Sequence, residues 1–191
     1  KWNTEIGILD FLPGGAHNVA HDKTKHLVRK WVPRVLRATA PRNSTNMDWI
    51  VFRVAELYLN YAEALNEYYE TPPKEAFDAV LKVRERSGMP GFPSTLNKEQ
   101  FREKLRRERA VELAYEDHRF WDIRRWLIAD DEGVMKGAMY GLQLSAVTGA
   151  PGKVHYKPYV FENRLWSDRS YLHPIKQTEI DKGYMLQNPG W

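Results

Sequence analysis

The alternation of apolar and polar positions changes character twice along the chain and divides it into three stretches. Residues 1–47 show weak periodicity broken by Pro13-Gly14-Gly15, Pro33 and Pro41, and read as a loop-rich segment with short extended pieces such as His26–Val32. From Arg53 the period becomes helical. Val54, Leu57, Tyr58, Tyr61, Leu65 and Tyr68 recur at steps of three and four, with Glu56, Asn60, Glu63 and Glu67 on the other side. This predicts an amphipathic helix near 53–69 with that stripe turned to the core. Thr71-Pro72 supplies an N-cap and a first-turn proline for a second helix near 73–87, which carries Phe77, Val80, Leu81 and Val83 and stops at Gly88. Asn97 and Gln100 form a capping box for a third helix near 98–115, and a fourth runs near 118–129. After Asp130-Asp131-Glu132 the pattern becomes irregular over 130–191. That stretch holds short strands within 133–170, one helical turn within 177–183 and a final turn from Gln187. Its alternating run Val154–Phe161 contains Pro158, which fits only an edge strand.

The first two helices are joined by about four residues and so pack antiparallel, with small Ala62 and Ala64 where a neighbour can come close. The pair has the size of one tetratricopeptide-like hairpin. One such hairpin cannot bury both of its faces, so its neighbours are either the following helices or further repeats outside this chain. The expected fold class is mainly α: tetratricopeptide-like helical hairpins in an α-superhelix, with loop-rich segments and short β-strands. Residues 48–191 form its main region.

In the third and fourth helices charge invades the apolar stripe. Phe101 and Leu105 are followed at helical steps by Glu108, Arg109, Glu112 and Glu116. Two of these carboxylates could in principle serve a glycoside hydrolase. Arginines stand close in sequence, however: Arg109 beside Glu108, Arg119 three residues after Glu116, and Arg125 three residues after Asp122. A carboxylate held by a guanidinium stays charged and makes a poor general acid. Arg119-Phe120-Trp121 and Arg124-Arg125-Trp126 further suggest guanidinium groups stacked on rings. We therefore read Glu108, Glu112, Glu116, Arg119, Asp122, Arg125 and Trp126 as an ion-pair and aromatic brace between the third and fourth helices.

Composition narrows the chemistry. The 191 residues are 42% hydrophobic and 13% aromatic, enough for a folded core. The 29 basic and 25 acidic residues are interspersed, which argues against nucleic acid as a partner. No run of about 18 apolar residues is present to span a membrane. The absence of cysteine removes thiol chemistry and disulfides. His17 and His21 are four apart but lack a third ligand, and Asp130-Asp131-Glu132 lacks the spaced oxygens of a calcium loop, so no metal and no cofactor are expected. No nucleophile elbow, phosphate loop or dinucleotide fingerprint occurs, and the chain is not expected to be an enzyme.

Five segments in order carry a resemblance: Phe52–Asn66, Val83-Arg-Glu-Arg-Ser-Gly88, Glu108–Trp126, Tyr171-Leu-His-Pro-Ile175 and Gln187-Asn-Pro-Gly-Trp191. Together they resemble the C-terminal part of the SusD/RagB family of outer-membrane nutrient-binding lipoproteins of Bacteroidetes, over about residues 45–191. The chain departs from the pattern at Lys176, where a second proline is common. The resemblance implies a surface-exposed outer-membrane lipoprotein that binds an oligosaccharide, or in some members a peptide, without cleaving it. It also implies a SusC-like TonB-dependent transporter as partner, and contact with the membrane only through a lipid anchor outside this chain. Family members are usually longer, so the chain looks like a C-terminal fragment. The alternatives are a peptide- or protein-binding helical-repeat adaptor and a glycoside hydrolase. A sugar is held by an aromatic face with planar hydrogen-bonding groups beside it. Trp2, Asn3, Asp10, His17 and Asn18 offer such groups in a flexible context and are the expected ligand-binding residues.

Overall fold

The computed structural model describes residues 23–25, 28, 30–31, 49–149 and 153–191. Its elements are α1 Val54–Tyr68, α2 Lys74–Glu85, α3 Lys98–Glu112, α4 His118–Arg125, β1 Gly137–Ala146, β2 Val154–Arg164, a 3-10 turn Asp168–Tyr171, and α5 Gln177–Ile180. The fold is mainly helical and tetratricopeptide-like, with one small two-stranded sheet among the described residues. The chain divides into two compact units, Asp48–Asp122 and the combination of Lys1–Met47 with Ile123–Trp191; the boundary falls inside α4.

In the Asp48–Asp122 unit, α1 packs on α2 and α3 around Leu59, Ala62, Ala76, Val80, Val83, Phe101, Leu105 and Leu113. Phe101 sits at the centre, with Phe77 and Phe92 edge-on to it at 4.9 and 5.6 Å between ring centroids. The buried face of α1 is not the expected one. Leu59, Ala62 and Asn66 are buried, whereas Val54, Leu57, Tyr58, Tyr61 and Tyr68 are exposed. The core side lies about a third of a turn from the apolar stripe at 100° per residue. Small Ala62, facing a partner helix with Ala76 and Ala79, lets the backbones approach in a way that the tyrosines would prevent. Asn66 is the polar member of this face, and its amide donates to the Lys98 carbonyl at the start of α3.

Helix ends follow local chemistry, with one shift. Asn97 and Gln100 make the reciprocal capping box at the start of α3. Gly88, at φ +70°, closes α2 in a Schellman arrangement: its N–H donates to Glu85 and that of Met89 to Arg84. The start of α2 is later than Thr71-Pro72 suggests. Pro73 occupies the capping position without a side-chain bond, so the two prolines extend the connection instead of opening the helix. The third helix ends at Glu112, short of Tyr115, and the fourth at Arg125. Tyr115, Asp117 and Leu127 adopt left-handed backbone there, which no helix continues through.

In the other unit the strands are longer than the sequence indicates. β1 pairs antiparallel with β2 from Gly137↔Arg164 to Ala146↔Val154, with an irregularity at Met139/Tyr140. Pro158 lies opposite Leu142 in this two-stranded sheet, where each strand has an edge. Beside Gly141, the Leu142 N–H donates to the Lys23 carbonyl at 2.9 Å. A Cβ on Gly141 would lie 2.3 Å from that oxygen, which explains the glycine.

Candidate functional site

The polar centre of the Asp48–Asp122 unit grows from the charged residues of α3 and the turn after it. Glu108 and Arg109 are buried at successive positions of α3, and Glu116 and Asp122 are buried beyond it. Each carboxylate is bonded to a guanidinium. Arg84 of α2 donates to Glu108 and to the Pro90 carbonyl. Arg53, just before α1, spans Glu112 and Glu116, its Nε lying 2.8 Å from Glu116 Oε2 and its Nη2 2.6 Å from the Glu112 carbonyl. Arg86 reaches Glu112 at 2.9 Å. Arg109 Nε contacts Asp122 Oδ2 at 2.7 Å while its Nη1 contacts Asn60 Oδ1 of α1 at 2.6 Å. One network thus ties α1, α2, α3 and the start of α4 together.

The partners differ from those expected by proximity in sequence. Glu108 pairs with Arg84 instead of adjacent Arg109, and Glu116 with Arg53 instead of Arg119. Successive helical residues point about 100° apart, so Glu108 and Arg109 serve different neighbours. Arg119 is exposed and makes no ion pair among the described residues. Partial desolvation lowers its pKa from the usual arginine value against the pull of Asp122, an effect of little energetic weight in a residue open to solvent. Ring stacking is real at Arg125, whose guanidinium lies 4.6 Å from the Trp126 centroid, and Arg124 lies 5.3 Å from Trp166. Phe120 and Trp121 pack edge to face on each other instead of under Arg119.

Electrostatically the network holds fixed charge. Burial opposes the charge on Arg53, and its hydrogen bonds to Glu116 and Glu112 more than offset this, so its pKa lies above the ordinary value. The oxygens of these carboxylates are occupied by guanidinium donors from other segments of the unit. Among the described residues no group of three or more His, Asp or Glu is placed to hold a metal.

The last two motifs also meet, within the other unit. Gln187 donates to the Ile175 carbonyl and accepts from its N–H at 2.9 and 2.8 Å, and Asn188 donates to the His173 carbonyl at 2.6 Å. Trp191 Nε1 contacts the carbonyls of Arg169 and Leu172 under the Arg169 guanidinium. Tyr171 hydrogen-bonds Asp130, which lowers that carboxyl's pKa. Gly190, at φ +85°, leaves no room for a Cβ beside Arg169.

Two open clefts are lined entirely by described residues. One of about 440 Å³ is lined by Pro93, Thr95, Leu96, Gln100, Glu103, Lys104 and Arg107, without a ring. The other, of about 420 Å³, includes Asp168, Arg169 and Tyr171, whose hydroxyl is already engaged. Neither joins a free ring face to free planar groups. The expected ligand residues Trp2, Asn3, Asp10, His17 and Asn18 lie outside the described residues.

Comparison with known proteins places this geometry. The model of the SusD family matches residues 10–191. A SusD-like protein of Formosa agariphila is 40% identical over 95 residues, 48% of this chain and 18% of the relative. A second from the same organism is 30% identical over 158 residues, 78% of this chain and 26% of the relative. The chain therefore spans about a quarter or less of the curated relatives it matches. Among solved structures, a SusD-like protein from Bacteroides fragilis superposes with a TM-score of 0.64 at 34% identity, covering 76% of this chain and 26% of that one. A SusD homolog from Bacteroides thetaiotaomicron gives 0.54 at 30% identity, covering 78% and 30%.

Proposed function

The chain belongs to the SusD family, and from that premise we propose that it is part of a non-catalytic glycan-binding subunit, which captures oligosaccharide at the cell surface for import through a SusC-like TonB-dependent transporter. The observation that carries the proposal is the family match across residues 10–191. Support comes from the buried charges, which brace helices instead of meeting at a cleft. Among the described residues no helix is long and apolar enough to cross a membrane. The proposed location is the outer membrane, with surface exposure through a lipid anchor. The proposed ligand residues are Trp2, Asn3, Asp10, His17 and Asn18. Affinity there comes from stacking a pyranose on a ring, at about 1–3 kcal/mol for each fully buried apolar face. Native affinity gels of the intact protein against a polysaccharide panel test this. Retardation by at least one glycan, relieved by Trp2→Ala, is expected; retention by peptide alone would turn the assignment to a peptide-binding adaptor. Release of reducing sugar on long incubation would contradict the non-catalytic reading.

A further inference from the structure

The cleft along α3 carries charges of a kind that the rest of the helix has already neutralised. Pro93 and Leu96 form an apolar wall, with Leu96 also packed against the core, and Gln100, Glu103, Lys104 and Arg107 line the helix side. Its volume of about 440 Å³ falls within the range of about 300–1,000 Å³ usual for small-molecule sites. Gln100, Lys104 and Arg107 follow one another at steps of four and three, so they share one face over about 10 Å of helix at 1.5 Å per residue. Elsewhere on α3 the basic side chains are engaged: Lys98 donates to the Glu67 carbonyl, Arg102 pairs with Glu67 and Arg109 with Asp122. Lys104 and Arg107 make no hydrogen bond or ion pair among the described residues. Neither does Glu103, although Glu103 and Arg107 stand at the spacing and in the order that favour a pair on a helix. The Gln100 side-chain oxygen accepts from the Asn97 N–H at 3.2 Å, which fixes the amide and leaves its NH2 as a held donor.

We propose that this cleft is an additional sugar subsite selective for a uronate, a sugar ring that bears a carboxylate; the inference rests on the glycan-binding reading above. Charge makes the selection. Two cations against one carboxylate leave the cleft net positive and complementary to a single anionic group. The Arg107 guanidinium can hold a carboxylate through two parallel N–H donors, with Lys104 as a second positive charge and the Gln100 NH2 as a neutral donor. Glu103 narrows the ligand further. A carboxylate only accepts hydrogen bonds and repels a bare anion, so the ligand has to bring hydroxyl donors alongside its charge. A pyranose with a carboxylate meets both demands, and its C–H face fits the apolar wall of Pro93 and Leu96. The cleft has no ring for the stacking contact proposed at Trp2, so charge and hydrogen bonding supply its selectivity.

Calorimetric titration of the intact protein tests this with oligomers of galacturonate, glucuronate and mannuronate, with the carboxyl-reduced form of each, and with sodium acetate and sodium sulfate. At least one uronate oligomer is expected to bind about tenfold or more tightly than its carboxyl-reduced form, and that preference to shrink as salt rises from about 0.05 to about 0.5 M. Lys104→Met and Arg107→Met, each matched to wild type by far-UV circular dichroism, should weaken uronate binding about tenfold while leaving the carboxyl-reduced oligomer within about twofold. Arg107→Lys should restore only part of the loss, because it keeps the charge without the planar fork. Uronate affinity unchanged in both methionine variants overturns the proposal. Acetate or sulfate bound as tightly as the oligomers overturns it in favour of an unselective anion site. Oligosaccharide binding with no preference for any uronate overturns it and leaves the glycan-binding reading standing, whereas no response to any oligosaccharide removes both.

Discussion

Replacing Arg109 by methionine tests the buried network at its most enclosed point. Arg109 and Asp122 are 4% and 3% exposed, and their charged atoms meet at 2.7 Å while Arg109 also holds Asn60. Methionine keeps the volume and the helical propensity but leaves the Asp122 carboxylate in the interior without its guanidinium. Breaking one side of a buried pair costs about 3–5 kcal/mol. Asp122 keeps a further interaction, which places the expectation at the lower end. For a chain of this size about 3 kcal/mol lowers Tm by roughly 6–12 °C. Removing both charges in the Arg109→Met/Asp122→Leu double variant is expected to recover most of the loss, within about 1–2 kcal/mol of wild type, because well-packed apolar replacements of buried pairs are close to neutral. Urea unfolding followed by circular dichroism, with the slope unchanged, gives both values. A single-variant loss under about 1 kcal/mol, or a double variant as unstable as the sum of the singles, would refute the reasoning.

Three other substitutions separate the remaining elements. Arg119→Ala is expected to change stability by less than about 0.5 kcal/mol, since the residue is exposed and has no ion pair among the described residues; a thermal melt checks it. Arg102 forms two hydrogen bonds to Glu67 at 2.7 and 2.6 Å, which lower that carboxyl's pKa. A depressed carboxylate pKa contributes stability above the unfolded value near 4.5, and the contribution fades as pH falls through the lower folded value. Arg102→Ala should therefore lower stability at neutral pH by a small amount, screened because the pair is partly exposed, and lessen the loss of stability as pH falls below the unfolded value near 4.5. Gly141→Ala drives a Cβ to 2.3 Å from a backbone oxygen and should cost about 1–3 kcal/mol, seen as faster amide exchange at Leu142.

What the sequence made legible follows the range of the interactions. Helix ends set by contacts three to five residues apart were readable: the Asn97/Gln100 capping box and the Gly88 stop both sit where the pattern put them. The face that α1 buries was not. Periodicity reports only that an apolar stripe exists, and the choice of face follows from small Ala62 fitting against α2, which leaves Tyr61 exposed. Ion pairing shows the same limit. The acids of α3 and of the turn after it were read as paired because arginines stand close to them in sequence, but the guanidinium partners of Glu108, Glu112 and Glu116 come from 24 to 63 residues away, at Arg84, Arg86 and Arg53. A signal was present nonetheless, because two of those arginines lie in the Val83–Gly88 motif and the third in Phe52–Asn66. Motifs that travel together in sequence are here the two halves of one bonded network, as Tyr171–Ile175 and Gln187–Trp191 are of another. The first strand was hidden because Gly137, Gly141 and Ser145 dilute its alternation, and its existence depends on β2 across the pairing.

The central claim, a glycan-binding subunit that does not cleave its ligand, is tested most directly by calorimetric titration of the intact protein with oligosaccharides and with peptides of matched length. The account predicts saturable binding of an oligosaccharide that is recovered unchanged, and no heat from the peptides. Saturable peptide binding with no response to any oligosaccharide, or recovery of shortened sugar, would contradict it.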